Sequence, residues 1–255
     1  MPEATYRKLE EITGRLGGVV NDLEDHLATS QLKLEVAHKL LDSAREALQS
    51  TQNEASQGEP FYNFETAFAR AGTDVLRQLQ HLGGPETLKI RVLAVASSLS
   101  WGFLIEKLPE ILVGCPDKRM RVEVLLVEAD HLRDMKTGMN RHGSPWWEIS
   151  KLRETNIHEE WRGLPDTVRE RLHFRLGFYR NLPHWHGVLI GTHDLWLGRT
   201  SWDSDLQNLT VGENVYRKFT RSGGLGSDRI DLFQTWFRYY QREARHTFAA
   251  GPGGE

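Results

Sequence analysis

His184 and His186 stand one residue apart at the head of an apolar run, residues 187–190. Alternate residues of an extended strand project to the same side, so the spacing predicts two imidazoles on one face. A polar turn and a second apolar run, residues 195–197, lead into Gly198-Arg199-Thr200-Ser201. A guanidinium offers forked donors that match phosphate oxygens, and the two hydroxyls add further donors. Imidazole, guanidinium and hydroxyl together make the chemistry of an anion site. Ser97, Ser98 and Ser100 follow another apolar run, residues 90–96. That is the end of a strand, where α/β folds place ligands.

The elements that must hold these groups follow from periodicity. Residues 90–96 and 121–127 read as buried strands, with a helix over 101–112 between them. A strand–helix–strand unit of this length predicts a parallel pair with a crossover helix. Residues 172–179 alternate as a third strand, and the histidine region adds a hairpin. Asn63 is placed to cap a helix carrying Phe64, Phe68, Val75, Leu76, Leu79 and Leu82, which Gly83-Gly84-Pro85 stops. A C-terminal helix begins near Ser227-Asp228, with Ile230, Phe233, Phe237 and Tyr240 on a stripe that reads as core. The last residues, 251–255, read as a frayed tail.

Upstream, Leu9, Ile12, Leu16, Val19 and Leu23, then Leu27, Ser30, Leu34, Ala37, Leu41, Ala44 and Leu48, keep helical 3-4 spacing. This predicts an N-terminal helical appendage over residues 1–57. It is either a coiled coil that dimerises or binds a partner, or a helical hairpin on its own domain. Residues 58–86 form a connecting helix, and residues 87–250 the α/β domain.

Composition bounds the function. With 39% hydrophobic and 26% charged residues the chain has the balance of a folded, water-facing protein. A net charge of −3 argues against a globally basic nucleic-acid binder and leaves a local patch open. The single cysteine, Cys115, excludes an internal disulfide and fits a reducing compartment; it reads as a structural thiol. No apolar run reaches membrane-spanning length, and the N-terminus lacks an apolar signal core, so a cytoplasmic protein without a membrane span is expected.

Several residue groups carry weaker readings. His184 and His186 with His193 and Asp194 have the ligand types for zinc or iron, without a third ligand at diagnostic spacing. His142 and His158 read as surface histidines. Arg171, Arg175, Arg180, Arg199, Arg217, Lys218 and Arg221 make the C-terminal half locally basic and read first as a charged solvated face. Residues 222–227 are glycine-rich ahead of a helix but lack the phosphate-loop lysine. No cofactor is implied.

The His184-Trp185-His186 stretch and its sequel resemble the phospholipase D superfamily signature: His-x-Lys, four residues, Asp, then a Gly and small polar residues closing on an aromatic. His184 takes the histidine position, His186 the lysine, Gly191 the aspartate, Gly198 the glycine and Trp202 the closing aromatic. The likeness spans roughly residues 87–244. It implies a phospholipase D-like mixed sheet flanked by helices, with the N-terminal helices outside it. It further implies His184 as the catalytic nucleophile, His186 in the place of the charge-neutralising lysine, and Arg199, Thr200, Ser201, Ser97 and Ser98 as phosphate-binding groups. Family members use two such histidines, and this chain carries one copy, so the family route implies a homodimer. Two signature positions have changed. The reading that follows is a diverged module that binds or senses a phosphate-bearing ligand, a nucleic acid or another phosphodiester, and acts through a homodimer or a partner protein. The alternatives are an active metal-independent phosphodiesterase or nuclease with paired His184, and a metal-binding or purely structural interaction protein.

Overall fold

A computed structural model describes residues 62–83, 86–97, 100–139, 143–203, 208–210, 215–222 and 224–252. The expected appendage over residues 1–57 lies outside them, as do Ser98, His142 and the side chains of Ser201 and Trp202.

The chain enters through β1 (Tyr62–Asn63) and α1 (Phe64–His81). Asn63 caps α1 as expected, its side-chain oxygen accepting from the Thr66 amide at 2.9 Å. β2 (Thr87–Leu93) is followed by α2 (Ser100–Gly102), a π-helical turn (Phe103–Lys107) and α3 (Leu108–Val113), which together carry the crossover to β3 (Arg119–Val127). Then come α4 (Ala129–Asp134), α5 (Trp146–Arg162), α6 (Asp166–Arg169), β4 (Leu172–Tyr179), β5 (Trp185–Ile190), β6 (Asp194–Arg199), β7 (Ser201–Asp203), β8 (Asn208–Thr210), β9 (Val215–Thr220), α7 (Gly224–Glu243) and β10 (Arg245–Ala250).

Eight strands form one mixed sheet in the order β1-β9-β6-β5-β2-β3-β4-β10, and β7 and β8 pair separately. β2, β3 and β4 run parallel, with Leu93 beside Leu125 and Leu125 beside Gly177; the remaining pairs are antiparallel. The strand–helix–strand unit and the hairpin are present, but the first strand runs over Thr87–Leu93 rather than 90–96 and a π-helical turn interrupts the crossover helix. β9 and β10 went unforeseen: β10 lies where the sequence gives only the approach to a tail, and it carries a register shift between His246 and Phe248.

The sheet separates two apolar layers. On the first face, α1, the crossover segment and the C-terminal half of α5 pack Val75, Leu79, Leu104, Leu108, Ile157 and Trp161 against Ile90, Val122, Phe174, Val188 and Trp196. On the second, Ile230, Phe233 and Phe237 of α7 pack on Leu93, Leu125, Leu189, Leu195 and Leu197. The aromatic stripe of α7 is therefore core, as its spacing predicts. Among the described residues the second face is covered only in part. Toward the N-terminal ends of β2, β3 and β4 its residues are Lys89, Arg91, Arg119, Arg121, His173 and Arg175, all exposed or half-buried.

Candidate functional site

The hairpin of β5 and β6 positions most of the expected site residues. Register pairs Trp185 with Arg199 and His186 with Gly198, and the Thr200 amide donates to the His184 carbonyl at 2.8 Å. The C-terminal ends of β2 and β6 and the start of β5 thus lie at one edge of the sheet, so Ser97, His184, Arg199 and Thr200 come to the same edge. Within that edge they differ. His184 sits on the bend before β5 and is exposed; Arg199 is exposed at the end of β6. Arg199 alternates with Leu195 and Leu197, and so belongs to the α7 side of the sheet. Ser97 is buried, with a left-handed φ of 53°, and its hydroxyl hydrogen-bonds that of Ser100.

His186 parts company with its neighbour. It is 4% exposed, on the face of Val188 and Ile190, and shares a hydrogen bond of 3.0 Å between Nδ1 and the Thr200 hydroxyl. Its ring meets Tyr216 edge to face at 5.2 Å between centroids. Nε2 has no hydrogen-bond partner among the described residues. A Cβ on Gly198 would overlap this ring, so glycine is what lets the ring lie flat across β6. Desolvation lowers the pKa of His186 to about 3, which keeps it neutral at physiological pH. A neutral, packed ring does not supply the positive charge that the lysine position carries in the signature. The imidazole pair expected on one shared face is in fact one exposed ring and one core ring. The reason is that β5 begins only at Trp185.

Gly191, at the aspartate position, opens the tight turn from β5 to β6 with φ 59°. A Cβ there would strike the Gln78 carboxamide, so an aspartate would displace it. His184 stands at the other end of β5, about 20 Å away at strand rise. Asp194 does not turn back toward His184. It is buried against α1, accepting from Arg77 at 2.9 Å and Gln78 at 2.7 Å and pairing with Lys218 at 3.2 Å. Asp74 of α1 completes the cluster, accepting from Arg77 at 2.9 Å, Lys218 at 2.7 Å and Trp196 Nε1 at 3.0 Å. Two carboxylates thus meet two cations, and the cluster is neutral. Beside it an open cavity of about 480 Å³ is lined by residues that include Arg77, His81, His193, Asp194 and Arg221.

Most basic residues of the C-terminal half scatter rather than gather. Arg171 donates to the carbonyls of Leu112 and Cys115, Arg180 to Glu128, and Arg221 to Asp231; Arg217 is buried. Among the described residues no group of three metal-ligating side chains forms a cation site, and His193 hydrogen-bonds the neighbouring Thr192 hydroxyl. In the glycine-rich segment, a Cβ on Gly226 would collide with the Thr220 backbone, which gives that glycine a packing role. Cys115 is half-buried.

Among the described residues a second concentration of charge lies on β2, β3 and β4. Glu123, 2% exposed on β3, pairs with Lys89 at 3.0 Å, Arg91 at 3.5 Å and Arg121 at 2.8 Å. Burial alone would raise its pKa, but the Lys89 hydrogen bond and the charges of Lys89, Arg121 and Arg91 outweigh burial and hold it below the usual range. Next to it, burial and then Arg121, Arg119 and Arg175 hold the His173 ring low. The signal was present as Leu88-Lys89-Ile90-Arg91-Val92 and Arg119-Met120-Arg121-Val122-Glu123, two basic stripes at period two. Neither says that the other lies beside it.

No family model and no curated protein matches the chain.

Proposed function

We propose that the chain is a phospholipase D-like module that binds a phosphate-bearing ligand without cleaving it, and acts through a homodimer or a partner protein. The observation that carries this reading is the burial of the His186 ring against Thr200 and Tyr216 while His184 is exposed, a burial that favours the neutral imidazole. Phosphoryl transfer through a histidine needs preorganised positive charge beside the nucleophile. Here the position that would provide it is occupied by a core ring, and the carboxylate position by a left-handed turn glycine. Recognition asks for less. His184 and Arg199, both exposed at the end of the hairpin, have donors for an anionic oxygen, while the buried Thr200 and Ser97 hydroxyls are bonded to His186 and Ser100.

The test compares the full chain with His184→Ala and Arg199→Ala. Calorimetric titration with inorganic phosphate and with a simple phosphodiester is expected to show binding that each variant weakens, with unchanged melting temperature. Metal-free turnover of the phosphodiester that disappears in His184→Ala would overturn the non-catalytic reading and establish the paired-histidine phosphodiesterase instead.

A further inference from the structure

We propose that the half of the second sheet face left open among the described residues, formed by Lys89, Arg91, Arg119, Arg121 and Arg175 around Glu123, is a docking surface for the phosphate backbone of a single-stranded nucleic acid. It is separate from the hairpin edge and does not depend on what binds there.

Register builds the surface. Arg91, Glu123 and Arg175 lie side by side on β2, β3 and β4; Lys89, Arg121 and His173 form the next row, and Arg119 begins the row after that. Adjacent strands are about 4.8 Å apart, and alternate residues along a strand about 6.6 Å, so the backbone sets these side chains out on a regular grid. Five cations meet one carboxylate. The Glu123 carboxylate is already shared among Lys89, Arg91 and Arg121, so the three-to-one group keeps a surplus of two positive charges before Arg119 and Arg175 are added. Arg238 of α7 adds to the field at Arg91. A surplus of this kind on a protein of net charge −3 is a local feature of this face.

The chemistry selects the partner. Among the described residues the one aromatic ring of the grid is the half-buried His173 imidazole, so the face fits a repeating anion contacted chiefly through its backbone. None of the exposed large apolar side chains among the described residues lies on β2, β3 or β4, which leaves nothing there to insert into a bilayer or to form the apolar centre of a protein interface. Arg119 and Arg175 are exposed, and Lys89 and Arg121 keep 35% and 40% of their side-chain surface in water, so the donors are reachable.

The experiment is fluorescence anisotropy of a labelled oligothymidylate of about 20 nucleotides, long enough to span the grid, titrated with the full chain over a series of salt concentrations. The expected result is salt-sensitive binding that Arg119→Ala/Arg175→Ala weakens about tenfold, with the log–log salt slope reduced by about 1.4, or 0.7 for each lost contact. Both residues are exposed, so melting temperature should not change. Lys107→Ala/Lys151→Ala, on helices, removes the same net charge and should bind as the parent does. Equal weakening by both double variants, no binding at low salt, or tighter binding to phosphatidylserine vesicles than to the oligonucleotide each overturns the proposal. Loss of oligonucleotide binding in His184→Ala or Arg199→Ala with none in Arg119→Ala/Arg175→Ala also overturns it, and assigns the anion to the hairpin edge.

Discussion

Two charged clusters sit on opposite faces of the same sheet, and they differ in one respect. Asp74, Arg77, Asp194 and Lys218 lie between α1 and the hairpin, where two carboxylates meet two cations and Trp196 and Gln78 take up further acceptor positions. Lys89, Arg91 and Arg121 surround Glu123 on the other face, three cations to one carboxylate, with no helix packed over Lys89 or Arg121 among the described residues. The first cluster is closed electrostatically and fixes how α1 seats on the turn that contains Gly191. The second is left unbalanced. A matched buried network serves mainly geometry, whereas a surplus of fixed charge facing water attracts a counter-charge.

The largest expected effect comes from breaking the balanced cluster. Asp194→Ala leaves Gln78 short of an acceptor and Arg77 and Lys218 with Asp74 alone, and should destabilise the fold by about 2–3 kcal/mol. Chemical denaturation measures it, and oligonucleotide affinity under native conditions should be unchanged. A loss below about 1 kcal/mol would mean that solvent already satisfies those groups.

Acid titration sharpens the contrast next. His186 is depressed to about 3 in the folded protein and titrates near 6.5 when unfolded, so its contribution is fully present above 6.5 and is lost as pH falls toward 3. At pH 5 the loss should be about 2 kcal/mol, and His186→Leu should flatten this stretch of the stability profile. Glu123 is held below 4.5, so its own contribution is present above that value and is lost only at lower pH. A profile of the parent that stays level between pH 6.5 and 5 would show that the His186 ring is hydrated.

Glu123→Gln should act on both properties with opposite sign. Stability should fall by about 1–3 kcal/mol as three cations lose their common acceptor, while oligonucleotide binding tightens and its salt slope steepens. Weaker binding in this variant would indicate that Glu123 holds the arginines in place more than it opposes the ligand. The smallest effect is expected for Arg175→Ala, exposed on β4, within about 0.5 kcal/mol of the parent by thermal melting. A larger drop would make Arg175 part of a closed network and erase the distinction between the two clusters.

Much of the fold was legible. Asn63 and Gly83 bracket α1, Leu172 to Tyr179 read as a strand, and Ile230, Phe233 and Phe237 announce the buried stripe of α7, because capping and periodicity are local. β9 and β10 were missed because their residues become strands through pairing with β6 and β4 rather than through their own alternation. The site was legible only as a set of residue types. That His184 and His186 would part depended on where β5 starts, and on Gly198 and Tyr216 receiving the second ring. Asp194 gave no sign in the sequence that its partners would come from α1, more than a hundred positions earlier.

By itself the sequence determined the parallel β2–β3 unit, the histidine hairpin, the capped α1 and the aromatic face of α7, since each rests on spacing within one segment. Tertiary structure alone decided which charges are matched. Strand register set Arg91, Glu123 and Arg175 in one row, the packing of α1 on the hairpin brought Arg77 and Gln78 to Asp194, and electrostatic balance is a property of neighbours in space, which order along the chain does not carry.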